Sequence, residues 1–540
     1  MAPVPLLMLL TCPVKSEATL QRIFIREYIV KGAHKLTRTE IEEAVYPYAG
    51  PGRTKDDVEQ ARSALERAYQ DKGYQTVSVQ IPTQPWRDGS IILQVAEVPV
   101  GRLRVRGARY FLPSQIEAKA PSLAEGNVPN FNDVSRDILA LNQYADERVT
   151  PALRPGVMPG TVDIDLNVKD TLPLHGSLEL NNRYSENTSE LRLNGSVSYN
   201  NLWQLGHSIG GSFQLSPEEI DQVKVFSGYY LFRIPEVTWW SLSLQGTKQD
   251  SAVSTVGNLA VAGRGETIGI LSTFVLPGGK EFSDTLSLGV DYKHSEQVVA
   301  PGGSGASQTN LTQTSYDYFP FSATYSATWM TTNDQTELNI GPTCNFRGVG
   351  SNPSAFEAAR VGSSGNFATL HADLSDTHEL PDHFQLYGKV QGQIADGPLV
   401  SGEQFGGGGL GTARGYLEGE VFGDDAMFGA VELRSPSITD ALGYKDSEWR
   451  VYVFAEAGRL TVINALPDQT SRFDLADFGV GTRVRIADHL NGSLDLGVPV
   501  LHLPGSSAQS TNTSSSSQGT ATAQIRHYDP RLTFRLWAEF

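Results

Sequence analysis

Residues 404–420 read Q-F-G-G-G-G-L-G-T-A-R-G-Y-L-E-G-E, with a lone arginine, Arg414, set in a run of glycines. A glycine-rich loop of this length gives up much backbone freedom when it becomes ordered. Hairpins need only about two to five linking residues, so this stretch is too long to be a simple connection. Something must hold it in place, and Arg414 is the handle.

Working outward, the flanking sequence reads as strands: His383–Ile394 before the loop and Ala426–Leu433 after it. The same pattern fills residues 174–540, in runs of roughly seven to thirteen residues, near the length a tilted strand needs to cross a bilayer. The runs number about sixteen, from Gly176–Asn182 to Arg531–Phe540, and no amphipathic helix is expected among them. Links after the second, fourth, sixth and fourteenth strands are short. Thr247–Glu266, Ser295–Thr314, the Gly-rich loop and Leu501–Gln524 are long and follow odd-numbered strands. Short turns on one rim and long loops on the other describe a transmembrane β-barrel of antiparallel strands. In the last strand Leu532, Phe534, Leu536, Ala538 and Phe540 share one face, and Thr533, Arg535, Trp537 and Glu539 share the other. That is a lipid face opposite a lumen face.

Composition agrees. The formal charge of -17 over 540 residues argues against a nucleic-acid partner, because phosphate binding needs a basic surface. No apolar run is long enough for a membrane helix, which leaves a barrel untouched, since alternating strands average to mild polarity. Hydrophobic residues make up 39% of the chain, in keeping with that average.

Before residue 172 the pattern is α+β. Ile23–Lys31 reads as a strand, Thr37-Arg38-Thr39-Glu40 as a capping box, and Thr54 as the start of a helix with Val58, Ala61, Leu65, Ala68 and Tyr69 on one face. Tyr74–Ile81 and Ile91–Val95 read as strands joined through Asp88-Gly89. The order then repeats. Leu103–Ala108 echoes Tyr28–Ala33 at an offset of 75 residues, with Ser114–Glu117 as a second capping box, Asn132 opening a helix and Thr161–Val168 as a strand. Residues 1–18, with the apolar stretch Val4–Cys12, read as a truncated secretory signal without its basic start, the alternative being a buried N-terminal strand. Removing it would leave Cys344 as the sole cysteine and no internal disulfide.

These features together resemble the two-partner secretion transporters, the hemolysin and adhesin secretion and activation family. The resemblance covers nearly the whole chain. It implies POTRA domains at 19–98 and 99–171, the first with Gln84 and Asp88-Gly89 before its last strand, the second with Pro155-Gly156 and Gly160–Asp163. It implies a 16-stranded outer-membrane barrel at 172–540 and identifies the Gly-rich stretch as the sixth outer loop, at 395–425. Gln404, Phe405, Arg414, Gly415 and Tyr416 match the family's loop-six signature, with Ala413 where a valine is usual. The partner motif Phe-x-Asp-x-Gly is matched by Phe454, Glu456 and Gly458, with glutamate one methylene longer than the family's aspartate. On Arg450–Gly458, Val451, Val453, Ala455 and Ala457 form an apolar face, which puts Tyr452, Phe454 and Glu456 in the lumen. A guanidinium docked there needs a carboxylate to offset its desolvation, so Arg414 is expected to meet Glu456.

The resemblance further implies a large unfolded exoprotein as partner, lipid of the bacterial outer membrane around the barrel, POTRA domains in the periplasm, and insertion by the barrel-assembly machinery. Phe534, Leu536 and Phe540 resemble its C-terminal recognition signal. Many such transporters carry an N-terminal plug helix, but only a few residues separate Ala18 from the strand near Ile23, so none is expected in this sequence. Neither cofactor, metal nor nucleotide is expected. Gly406, Gly408 and Gly411 satisfy G-x-G-x-x-G only formally, without a strand-to-helix unit. The histidines lack metal-ligand spacing, and no catalytic serine arrangement can be drawn. An insertase of membrane proteins and a passive porin are the rival readings.

Overall fold

A computed structural model describes residues 22–503 and 529–540, apart from 86–87, 143, 187, 235–236, 251–252, 257–258, 263, 300–311, 440–442, 444–445, 468 and 488. The signal-like segment and the Thr-Ser-Ser-Ser-Ser run lie outside the described residues. The chain divides into two compact units at residues 172 and 173.

The first unit holds two similar halves. In the first, Glu27–Lys31 pairs in parallel with Ser90–Ala96, which pairs antiparallel with Ser78–Gln80. Helices Arg38–Val45 and Lys55–Asp71 pack Val58, Leu65 and Tyr69 on this sheet. In the second, Val100–Arg106 pairs in parallel with Val162–Asp170, and Glu147–Pro155 forms the other edge. Its helices are Pro113–Ala118 and Phe131–Leu141.

The repeat extends to backbone detail. Gly32 and Gly107, 75 residues apart, have φ of 79° and 89°, and a Cβ on either would collide with the carbonyl of Val95 or Val168. Two residues beyond those carbonyls a carboxylate collects free amides: Glu97 accepts from His34 and Lys35, and Asp170 from Arg109, Tyr110 and Phe111.

Several local expectations need correction. Ile23–Lys31 is two strands, Ile23–Ile25 and Glu27–Lys31, broken where the amides of Arg26 and Glu27 both donate to Gly89. Tyr74–Ile81 shortens to Ser78–Gln80. Ser114–Glu117 is not a capping box. Pro113 occupies the first helical turn, where its missing N–H costs nothing, and Leu112 caps without a side-chain bond. The following helix starts after Asn130, whose side chain accepts from the Asn132 amide.

The second unit is a closed antiparallel barrel of sixteen strands. In order they are Leu174–Asn181, Arg192–Leu202, His207–Leu215, Lys224–Ile234, Val237–Asp250, Arg264–Val275, Phe282–Val299, an eighth in two segments, Asp334–Asn345, Phe367–Glu379, Gln385–Ala395, Asp425–Arg434, Ser447–Thr461, Arg472–Ile486, Leu490–Pro499 and Arg531–Glu539. The eighth consists of Thr312–Tyr318 and Phe321–Met330, both paired with the seventh and separated at Pro320, which has no N–H for the ladder. Each of the sixteen runs expected from sequence overlaps one strand. A short helix, Pro353–Ala359, was not expected in this region. It anchors through Phe356 against Tyr316 and Tyr318.

The first and last strands close the barrel through Ser177–Asn181 and Arg535–Glu539. Gly176 and Phe540 extend the seam with two backbone hydrogen bonds of 2.9 and 3.0 Å, and the Phe540 ring covers Gly176. At the other end the Asn182 side chain takes over from the ladder, donating to Leu532 and accepting from the Phe534 amide. Leu532, Leu536 and Phe540 are exposed on the outer surface, and Phe534 lies on the same face.

Candidate functional site

The Gly-rich loop lies between the eleventh and twelfth strands and is folded inside the barrel. Its base is a small hairpin, Phe405–Gly407 paired with Val421–Gly423. Phe405 stacks between His371 and Phe428, each 5.8 Å away centroid to centroid. Gln404 donates to Asp424, which also holds Arg360 through a two-pronged ion pair. Beyond the hairpin the backbone turns at Gly408 and Gly409, with φ of 100° and 91°, a region L-residues rarely enter. The turn closes as Gly409 and Ala413 exchange backbone hydrogen bonds and the Gly408 amide donates to the Thr412 hydroxyl.

This turn delivers Arg414 to the wall, where it is only 4% exposed. Its backbone amide donates to Glu456 Oε2 at 2.7 Å and its Nε to Glu456 Oε1 at 2.8 Å. Nη2 lies 2.7 Å from Glu432, and Nη1 lies 3.1 Å from Asp495. The guanidinium also sits 3.6 Å above the centroid of the Phe454 ring. Phe454 in turn fills the space over Gly479, its direct partner on the next strand, where any side chain would collide with the ring.

The remaining matched residues converge here as well. The Gly415 amide donates to Asp477, and Tyr416 donates its hydroxyl to the Leu501 carbonyl at 2.7 Å. Gly458 lies against the Phe428 ring. Charge, hydrogen bonds and ring face thus act on one buried cation, and burial makes each worth more than in water.

Sequence reasoning paired Arg414 with Glu456 alone. It missed Glu432, Asp477 and Asp495, although the period of two places each on the lumen face of a neighbouring strand, opposite Phe454, Glu456 and Gly481. It also missed two outer anchors. Glu418 takes Arg183, beyond the first strand, at 2.7 Å, and Glu403 takes Lys293 of the seventh at 2.6 Å. The extra methylene of Glu456 is absorbed by a fork: one oxygen meets the Arg414 amide and the other its side chain.

Residues 160–484 match the haemolysin secretion/activation protein ShlB/FhaC/HecB family, and residues 23–97 match the ShlB-type POTRA domain. The chain belongs to the ShlB/FhaC/HecB family. Among curated proteins it is similar to the outer membrane transporter CdiB of Escherichia coli, 26% identical over 177 residues, and to the outer membrane transporter CdiB-2 of Burkholderia pseudomallei, 27% identical over 154. Those alignments take in 33% and 28% of this chain, and it spans only 30% and 26% of the length of these relatives. In structure it resembles CdiB from Escherichia coli with a TM-score of 0.65 and 18% identity, covering 98% of this chain and 93% of that one. BamA from Haemophilus ducreyi lacking POTRA domains 1–3 gives 0.55 and 15%, covering 96% of this chain and all of that one. Both likenesses show the shared fold. Family and barrel together put the protein in the bacterial outer membrane, with its POTRA units in the periplasm.

Proposed function

We propose that this protein exports a large, unfolded exoprotein of the hemolysin or adhesin type from the periplasm to the cell surface, without catalysing a covalent reaction. The reading rests on the loop-six clamp: a loop bound by buried ion pairs inside a barrel suits a conduit that must stay sealed until cargo arrives. With no energy-supplying ligand in the scheme, folding of the cargo outside the cell draws it outward.

Capture falls to the POTRA units at 19–98 and 99–171. In the second, a slot of about 360 Å³ opens between helix Phe131–Leu141 and the edge strand Glu147–Pro155, lined by Phe131, Ile138, Leu139, Pro151 and Leu153. Pro151 and Pro155 remove two donors from that edge, so apolar side-chain capture contributes more there than an added strand. The barrel-assembly machinery would insert the protein by reading the Phe534, Leu536 and Phe540 face.

Deleting the gene and comparing secreted proteins with outer-membrane proteins tests the reading. Loss of one large exoprotein is the expected result. Broad loss of barrels would make the protein an insertase, and an unchanged secretome with altered solute uptake would make it a porin.

A further inference from the structure

Loop six occupies the wall formed by the twelfth to fifteenth strands. The wall formed by the first to sixth strands has a different composition. Ser177 lies directly opposite Ser196, Ser196 opposite Ser212, Ser212 opposite Ser227, Ser227 opposite Thr247, and Thr247 opposite Thr267. Six neighbouring strands therefore place a hydroxyl at the same register level, all on the inner face. Two pairs touch, Ser177 with Ser196 at 2.7 Å and Ser227 with Thr247 at 3.0 Å.

At about 4.8 Å per strand the row is about 24 Å long. Because barrel strands tilt, it climbs the wall, from the middle of the first strand to the outer third of the fifth and sixth. Five of the six residues line a cavity of about 480 Å³. Of the charged groups near it, Glu179 pairs with Arg535 at 2.8 Å, Arg183 with Glu418 and Lys293 with Glu403, while Asp291 of the seventh strand, opposite Gly269, is hydrogen-bonded to Gln245.

We propose that this hydroxyl row is the surface along which an extended polypeptide moves through the barrel. The inference rests on the export reading and adds the path. Three physical features favour a chain in transit over a tightly bound ligand. The backbone behind the hydroxyls is fully paired within the barrel, so a passing chain cannot add to it as a strand. Short hydroxyls donate and accept, so they exchange weak hydrogen bonds with any peptide group and hold no charge that would arrest an acidic or basic segment. Their spacing of about 4.8 Å does not match the two-residue repeat of an extended chain, about 6.7 Å, so no register of the cargo fits all sites at once. A surface without a preferred register has no deep binding minimum.

The test uses the full-length protein in cells, with the exoprotein that disappears from the medium on gene deletion. A folded domain fused to that exoprotein stalls it in transit. Single cysteines carrying a maleimide-linked benzophenone, which inserts into a nearby C–H bond on illumination, replace Ser196, Ser212 or Ser227 in a Cys12→Ser, Cys344→Ser background, with Lys389→Cys, eight strands from Ser212, as the facing control. Cargo adducts several-fold stronger at the three row positions than at Lys389 are expected. Cargo adducts equal or stronger at Lys389 overturn the path while leaving export standing. If no exoprotein depends on this gene, export and path fall together. Independently, S212R/S227R should slow export by about tenfold with outer-membrane levels and protease protection of loop six unchanged. Normal export by that variant would overturn the proposal.

Discussion

The two walls of the lumen share one strand periodicity and carry opposite chemistry. On the twelfth to fifteenth strands the inward positions hold Glu432, Glu456, Asp477 and Asp495, all buried and all drawn toward Arg414 and Gly415. On the first to sixth strands the inward positions in the hydroxyl row hold only serine and threonine around an open cavity. The period of two decides which residues face inward. What the wall does follows from side-chain choice alone: one side grips, and the other leaves room.

The sharpest way to break this comparison is to remove the gripped cation. Arg414→Ala leaves Glu456 without its cation, while Glu432 keeps Arg434 and Asp495 keeps the Tyr452 hydroxyl. Losing one partner of a buried ion pair costs about 3–5 kcal/mol, so export should fall by roughly a hundredfold or more while the barrel still assembles. Secreted cargo, measured against heat-modifiable barrel in the outer membrane, checks it, and undiminished secretion would remove loop six from the mechanism. Glu456→Lys should approach the same loss through repulsion. Glu456→Asp should stay within about tenfold of the unaltered protein, since Glu432 and Asp495 still hold the guanidinium.

A smaller effect is expected one layer down. Gly479→Val collides with the Leu496 carbonyl and with the Phe454 ring that underlies the guanidinium, an overpacking cost of about 1–3 kcal/mol. It should lower the temperature of heat modification and open loop six to trypsin at Arg414; an unchanged digest would show that the ring does not support the clamp.

The mildest prediction uses a buried carboxylate without such a grip. Glu147, in the second POTRA unit, is buried, and its Oε1 has no hydrogen-bond partner among the described residues. Burial pushes its carboxyl up to about 7, with Lys119 opposing and Asp170 adding. A folded-state value raised above the unfolded one gives stability that is whole below about 4.5 and is lost as pH rises through about 7, by at most about 1.4 kcal/mol per unit. The hydrogen-exchange protection factor of strand Glu147–Pro155, with the intrinsic base-catalysed rate divided out, should therefore fall between those values, and Glu147→Gln should flatten the response.

Much of this was readable in the residues. Strand alternation is local, so Val451, Val453 and Ala455 announced their outer face without help from the rest of the chain. The repeat at Gly32 and Gly107 was readable because each copy demands the same positive φ. The clamp was only partly readable. Glu456 stood out through a motif, whereas Asp495 and Glu432 become partners through register between strands, which no single strand encodes. Helix Pro353–Ala359 escaped because seven residues make too short a pattern, and packing against Tyr316 and Tyr318 stabilises it in place of propensity. The Ser114 capping box failed for the opposite reason: Pro113 competes for the same first turn and wins on backbone geometry.

The seam described above has a kinetic side. Every other pairing in the barrel joins strands adjacent in sequence, but Glu179 and Arg535 meet across 356 residues. Bringing ends that far apart together costs about 5 kcal/mol of chain entropy, to be recovered from one short ladder and the side chains that extend it. Until that encounter the growing sheet has two bare edges, each a template for the wrong partner. Closure is therefore the slow, vulnerable event in the life of this molecule, and it depends on meeting the correct edge more than on forming any single hairpin.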